Sequence, residues 1–477
     1  MRTVTLVRVV VLALLAVAAT AAQAPQSGVL RTMRVDYFHT GDAKQELFSF
    51  DEAVIEPSAW SGHAGREVDP IKYGAYGFDV RDAASKALLY SRGFGSIFDE
   101  WSSTDEATKM TRTFHESVRF PTPRAPVTVT VRKRIGGGGS GDGTAWRDLW
   151  TTTVDPKNMF VNPAPPAPDP GRLIEFEKHG DPADKVDLLI LGDGYTAGER
   201  KKFEADSKRL LAVLFATSPF KERRSDFNVW GLVPESKESG ISRPSTGVHR
   251  SNPVSSTYDA FGSERYVLAF DNKAFRRYAS YAPYDVVEIV VNARTYGGGG
   301  IYGLYSTVAA DSAEAPYIFV HEFGHHFAAL ADEYYTSPVA YLPSTKREEP
   351  WEPNVSALLD PAALKWKDLV TPGTALPTPW PKEEYEKRSR AYQEVRTRLR
   401  AENRPEAEME ALFAKNKQDD AAMFAKYKGV VGAFEGARYE ATGYYRPSAD
   451  CIMFTRADFF CAVCRRALER VIDTYSR

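Results

Sequence analysis

The sequence predicts an α+β protein: an N-terminal β-sandwich followed by an α/β layer that carries a helical insertion. Three observations carry that expectation. First, residues 28–160 have the period-2 patterning of strands, clearest where Val127, Val129 and Val131 alternate with Thr128 and Thr130. Second, the run Pro163-Ala-Pro-Pro-Ala-Pro-Asp-Pro170 is stiff and unsuited to either a strand or a helix interior, so residues 161–172 read as a linker. Third, strand-like and helix-like segments alternate beyond it, the pattern of a layered α/β unit over residues 173–477.

In the first unit, Tyr37–Phe50 and Tyr73–Val80 add further strand character, and turn clusters such as Gly136–Gly143 separate the strands. Helical periodicity is scarce there, which favours a sandwich of two antiparallel sheets. Gly136, Gly138 and Gly141 formally satisfy G-x-G-x-x-G, but no helix follows them, so a phosphate-binding turn is not expected. In the second unit, Val186–Leu191 reads as a buried strand. Thr196–Phe215 reads as an amphipathic helix with Phe203, Leu210, Leu211 and Leu214 on one side. Further strands are expected at Asn228–Val233, Tyr266–Phe270 and Val286–Val291. Residues 382–428 are densely charged and helix-prone, and Pro405 divides them, so a solvated helical hairpin inserted in the unit is expected. The run Gly297–Gly300 reads as a flexible rim to a cleft, where a substrate backbone approaches closely.

The chain has 477 residues, of which 43% are hydrophobic and 26% charged, a globular composition long enough for two or three domains. Its formal net charge of −2 gives no reason to expect nucleic acid or an anionic membrane as partner. At the N-terminus, Arg2 and Arg8 precede the apolar run Val9–Ala19, and the small residues Ala21, Ala22 and Ala24 follow. Residues 1–24 therefore read as a signal peptide, which directs the chain to a secreted, periplasmic or cell-surface location. No later stretch approaches the roughly 18 apolar residues of a membrane span, so no stable membrane insertion is expected once the signal is cleaved. The three cysteines, Cys451, Cys461 and Cys464, lie together at the C-terminal end. Cys461-x-x-Cys464 has the spacing of a redox or zinc pair, but no second pair accompanies it. An oxidising compartment permits a disulfide, so a local staple from Cys451 is the expected reading, and the odd count leaves one thiol over.

Three of the eight histidines fall within six residues: His321, His325 and His326. Residues four apart share a helix face, so His321 and His325 can present two imidazoles to one ion. Glu322 sits about 100° round the helix, where it can hold a water without being a ligand. This is the mechanical content of H-E-x-x-H, and it points to one catalytic Zn2+ with Glu322 as general base. The apolar segment Tyr317–Val320 implies a buried helix, on which two imidazoles and an acid need partners. His326 points elsewhere and reads as a supporting residue. A catalytic zinc takes a third protein ligand and keeps one open position. A carboxylate just after the helix (Asp332 or Glu333), one of Glu348, Glu349 and Glu352, or a distant Asp would each serve.

The segment His321-Glu-Phe-Gly-His-His-Phe-Ala-Ala-Leu-Ala-Asp-Glu-Tyr334 resembles the signature of the IgA-peptidase family of metallopeptidases, in the metzincin group. Leu191-Gly-Asp-Gly-Tyr-Thr196, Gly432-Ala-Phe-Glu-Gly-Ala-Arg-Tyr439, Tyr445-Arg-Pro447, Cys451-Ile-Met453 and Phe460-Cys-Ala-Val-Cys-Arg465 resemble further motifs of that family. The resemblance implies a metzincin-like catalytic domain behind an N-terminal β domain. It also implies zinc held by His321, His325 and Asp332, since Ala331 occupies the position of the usual third ligand and cannot ligate. Met453 takes the part of a hydrophobic floor beneath the metal. Some metzincins place a Tyr two residues after that methionine; Thr455 stands there, which leaves Tyr444, Tyr445 and Arg446 as candidate oxyanion donors. Alanines at 328 and 329 occupy a turn that glycine usually helps to make. The implied activity is that of a secreted zinc endopeptidase acting on protein or peptide. The alternatives are a zinc hydrolase of a non-peptide amide or ester, and a non-catalytic cell-surface binding protein with a vestigial metal site.

Overall fold

The structure, a computed structural model, describes residues 29–63, 65–136, 144–166, 170–343 and 346–476. The signal segment 1–24 and most of the glycine turn at 136–143 lie outside the described residues.

The N-terminal part is built from seven strands: β1 (Arg31–Gly41), β2 (Glu46–Ala59), β3 (Tyr76–Asp82), β4 (Leu88–Phe94), β5 (Arg112–Pro121), β6 (Val127–Arg134) and β7 (Trp146–Val154). They form two antiparallel sheets of order β2-β1-β5 and β4-β3-β6-β7. The alternation read in β6 is the packing pattern: Val127, Val129 and Val131 are fully buried, while Thr128 and Thr130 face outward. Met33, Val35 and Tyr37 of the first sheet share one core with Phe78, Val80 and the β6 valines of the second.

One short helix, α1 (Ile97–Ser102), interrupts this part, capped by the Ser96 side chain on the Asp99 amide. Its apolar face packs on His39 of β1 and Phe114 of β5 and reaches across to the second half of the chain. Ile97, Phe98 and Trp101 join Leu189, Phe275 and Ile289 from the second half of the chain. Arg119 Nη1 and Ser61 Oγ also donate to the Tyr284 carbonyl at 3.0 and 2.8 Å. The two halves therefore share hydrophobic core and hydrogen bonds.

The second half is centred on a six-stranded mixed sheet. In chain order its elements are β8 (Ile174–Glu177), β9 (Val186–Asp193), α2 (Arg200–Leu214), β10 (Phe227–Leu232), a small ribbon of β11 (Ser256–Thr257) and β12 (Leu268–Ala269), α3 (Asn272–Ala279), β13 (Val286–Val291), β14 (Gly298–Ile301), β15 (Tyr305–Ala309) and α4 (Ala315–Ala328). The sheet order is β14-β15-β13-β9-β10-β8. The four inner strands run parallel and the two edges antiparallel. β9, β10 and β13 are buried along their whole length, as a parallel sheet covered on both faces requires. On α2, Phe203, Leu210, Leu211 and Leu214 are all buried.

Three expectations are corrected. The strand expected at Tyr266–Phe270 shrinks to β12, because its partner β11 offers only two residues to pair with. The glycine run does border a cleft, which Gly298 and Gly300 line, but not as a flexible loop: Gly298–Gly300 form the edge strand β14 beneath α4. A Cβ on Gly298 would lie 2.4 Å from Ile318 Cγ2, and one on Gly300 would lie 2.4 Å from the Glu322 carbonyl oxygen, so the glycines permit a close strand-to-helix approach. The cysteine staple is absent, and all three cysteines are buried and unlinked.

The charged segment forms two helices, α5 (Lys382–Ala401) and α6 (Glu406–Phe424), parted at Pro405. Their few apolar residues anchor them: Tyr385, Met409, Phe413 and Phe424 are buried, and the Arg456 guanidinium stacks 4.0 Å over Phe413. A hairpin of β16 (Phe434–Ala437) and β17 (Glu440–Arg446) and the terminal helix α7 (Ala462–Tyr475) complete the chain. Among the described residues no helix is long and apolar enough to cross a membrane.

Candidate active site

Helix α4 is apolar on nearly every side, so its polar residues are conspicuous. His326 faces the sheet. Its Nδ1 lies 3.1 Å from the Ile301 carbonyl, and its Nε2 accepts from the Val287 amide at 3.1 Å. Burial pushes its pKa down to about 3, which keeps it a neutral strut between helix and sheet.

His321 and His325 point the other way. Each ring turns Nδ1 toward a backbone carbonyl, Ile452 for His321 at 2.9 Å and Leu330 for His325. With those protons donated, each Nε2 presents a lone pair. The two Nε2 atoms lie 3.2 Å apart, and Asp332 Oδ1 lies 3.1 and 3.3 Å from them. Asp332 Oδ1 is buried and accepts no hydrogen bond. Two imidazole nitrogens and a carboxylate oxygen thus converge, an arrangement that a shared cation stabilises. Ligands about 2.0–2.1 Å from a tetrahedral ion stand about 3.3–3.4 Å apart, so these residues fit a metal such as zinc.

The turn that brings Asp332 back to the helix is made by Ala329, which ends α4 in the left-handed conformation at φ +56°. Its amide and that of Leu330 return to the carbonyls of His325 and Gly324, closing the helix as a glycine would. Alanine in this conformation costs about 1–2 kcal/mol. Met453 is fully buried against α4, where its Sδ would meet a Cβ on Gly324 at 3.1 Å.

Asp332 is gripped from outside by the tip of the β16–β17 hairpin. Arg438 and Tyr439 both take positive φ, +54° and +66°. Their amides donate to the carbonyls of Asp332 and Tyr334 at 3.0 Å each, and the Tyr439 hydroxyl donates to Asp332 Oδ2 at 2.6 Å. Two strained residues are held by three hydrogen bonds to the segment that carries the carboxylate.

Glu322 and His325 line a cleft of about 600 Å³ whose opposite wall comes from the N-terminal part, including Ser96, Asp99 and Glu100. Burial raises the Glu322 carboxyl above its usual range, against the pull of the two imidazoles. Tyr334 also lines the cleft, its ring stacked 6.5 Å from that of His321, and its hydroxyl accepts from Arg265 at 3.0 Å. Glu100 accepts hydrogen bonds from Tyr266 and, at 3.0 Å, from Tyr341.

Of the residues expected from sequence, His321, Glu322, His325 and Asp332 come together. Tyr444 lines the cleft, but its hydroxyl is turned to the Lys346 carbonyl at 3.4 Å. Tyr445 and Arg446 do not line it. Tyr445 is committed to backbone pairing with Ser356. Arg446 is fully buried, stacked 3.6 Å over Phe454 and bonded to the carbonyls of Glu435 and Gly436. It therefore cannot reach the reacting groups as the sequence suggested. Glu348 is exposed, Glu349 is bonded to Ser356 and Ala357, Glu352 pairs with Arg438, and Glu333 turns into the core, so none joins the histidines. Sequence reasoning missed Tyr439, Tyr334, Arg265 and Glu100. Tyr439 had a signal, since it closes one of the motifs noted above, but no local pattern gave it a role.

No curated protein matches the chain. Two family models do: one described as Peptidase M64 N-terminus matches residues 27–137, and one described as IgA Peptidase M64 matches residues 174–472. The second match spans more than half of the 477 residues and includes the α4 histidines, Asp332, Tyr439 and Met453, so the chain belongs to the IgA peptidase M64 family and is a peptidase.

Proposed function

We propose that the protein is a zinc-dependent endopeptidase in which His321, His325 and Asp332 hold one zinc ion and Glu322 is the general base. The observation that carries this reading is the convergence of two imidazole nitrogens and a carboxylate oxygen 3.1–3.3 Å apart beside a carboxylate that faces a cleft. The zinc, when bound, supplies Lewis acidity and lowers the pKa of a water. Glu322, its carboxyl already shifted upward by burial, takes a proton from the attacking water and passes it to the leaving amine. Tyr334 replaces Tyr444, Tyr445 and Arg446 as the proposed donor to the developing oxyanion, because Arg265 donates to its oxygen and leaves its own proton to give. Tyr439 fixes the orientation of Asp332.

The cleft takes a protein or peptide chain between the two halves of the molecule. Its roof at β14 is partly closed, since Gly298 exchanges hydrogen bonds with Arg265 and Val267. The N-terminal segment 1–24 supports action outside the cytoplasm.

The direct test is hydrolysis of casein by the purified chain before and after chelation. Activity is expected to fall to background with chelator and to return with stoichiometric zinc. Undiminished hydrolysis after complete metal removal would refute the reading.

A further inference from the structure

Asp332 is followed by Glu333, whose carboxylate points the opposite way, into the core. Glu333 is fully buried, and its Oε2 has no hydrogen-bond partner among the described residues. Its Oε1 accepts from Asn354 at 3.0 Å and lies 3.4 Å from Cys464 Sγ. Cys464 Sγ lies 3.8 Å from Cys451 Sγ. Cys461 completes the group, and ligand atoms of all four residues lie within 4.8 Å of one another. All four residues are buried, with Cys461 the most exposed at 6%.

The 3.4 and 3.8 Å separations made by Cys464 Sγ match those of a tetrahedral site. With Zn–S about 2.3 Å and Zn–O about 2.0 Å, tetrahedral geometry sets sulfurs about 3.8 Å apart and sulfur and oxygen about 3.5 Å apart. The environment suits thiolates. The Cys451 sulfur accepts from the Cys461 amide at 3.3 Å. Cys461 caps α7, so the positive end of a 14-residue helix faces the cluster. The Arg446 guanidinium, fully buried with Nε and Nη2 unpartnered, adds positive charge felt by Glu333.

We propose that Cys451, Cys461, Cys464 and Glu333 form a second, structural zinc site, closed to solvent and separate from the cleft. Binding replaces the protons of the three thiols and the carboxyl with one divalent ion, and no redox step is involved. The site ties together the segments that shape the active site. Glu333 follows Asp332, and its amide donates to the Met453 carbonyl at 2.8 Å. Cys451 precedes Ile452, whose carbonyl orients His321. α7, carrying the other two cysteines, is thereby fixed to the turn after α4.

The test uses the full mature chain and zinc itself. Zinc per chain is measured by elemental analysis for the wild type and for the double variant His321→Ala, His325→Ala, which empties the cleft site and leaves the cysteine cluster intact. Thiols are counted after denaturation in chelator without reductant. The wild type is expected to carry two zinc ions and the double variant one. Both should yield three thiols, unreactive in the native state before chelation. Cobalt substitution of the double variant should give thiolate charge-transfer absorption, and that band should vanish in a triple variant that adds Cys464→Ser. One thiol per denatured chain would mean a disulfide and overturn the proposal, as would three thiols with no zinc in the double variant. Failure of the cleft site alone would leave the double variant's zinc and its cobalt band unchanged.

Discussion

The dipeptide Asp332-Glu333 sends two adjacent carboxylates into two different clusters, and their contrast is that between the proposed reacting site and the proposed structural one. Around Asp332 the partners are imidazoles, and the group borders a cleft of about 600 Å³. Around Glu333 the partners are thiols, and every member is buried. An ion that does chemistry needs an open position for water and substrate, whereas an ion that holds a fold is enclosed by protein donors. The two clusters also differ in how they are supported. Asp332 is oriented by a phenol on a strained hairpin tip, a device that fixes a ligand while leaving one side free. Glu333 is surrounded by packed helix and loop.

The largest expected effect that would sharpen this contrast is at Tyr439. Removing its hydroxyl with Tyr439→Phe deletes the 2.6 Å bond to Asp332 Oδ2 without touching the cysteine cluster. Zinc affinity of the cleft site should fall about 10–100-fold, as it does when outer-shell partners are lost. Competition with a calibrated chelator measures this. Equal weakening of both sites, or of neither, would break the distinction.

A smaller effect is expected at Glu100, on the opposite wall. Burial, only partly offset by hydrogen bonds from Tyr266 and Tyr341, raises its pKa from 4.5 to about 7. The unfolded chain therefore ionises this group before the folded chain does, and its contribution to stability is lost as pH rises from about 4.5 to 7. Glu100→Gln removes that loss. The variant should be the more stable protein at pH 8 by roughly 2 kcal/mol, allowing for partial exposure, with no gain near pH 4.5. Urea unfolding across that pH range is the measurement, and a pH-independent difference would show that the wall acid is not held out of its ordinary range.

The smallest effect is at the turn between the clusters. Ala329 stands at φ +56°, and Ala329→Gly relieves that strain while adding freedom to the unfolded chain. A net gain of about 0.5–1 kcal/mol in unfolding free energy is expected. A loss would mean that the alanine methyl contributes packing that outweighs the strain.

What the sequence made legible was local. The histidine spacing, the carboxylate after the helix and the apolar runs of β9 and β13 each contain their own signal, and the structure assembles them as read. Interactions set by distant segments were not legible. Gly298 and Gly300 looked like a loop because glycine disfavours strands, but α4 packs so close that only glycine fits beneath it. Arg446 looked catalytic from its neighbours, yet its direction is decided by Phe454 and Trp380. Tyr439 acts through a left-handed turn that its own residue type disfavours, and its partner Asp332 lies far away in the chain. The cysteines pointed to one another, but nothing near them in sequence announced Glu333.

In the proposed reaction the cleft cluster holds zinc while Glu322 moves the proton. The most direct measurement is zinc content together with casein hydrolysis for the wild type, Glu322→Gln and Asp332→Ala, prepared identically. Glu322→Gln should keep its full zinc content and lose about 10³-fold in kcat/KM, while Asp332→Ala should lose the cleft zinc and the activity together. Near-normal hydrolysis by Glu322→Gln, or an unchanged zinc content in Asp332→Ala, would contradict it.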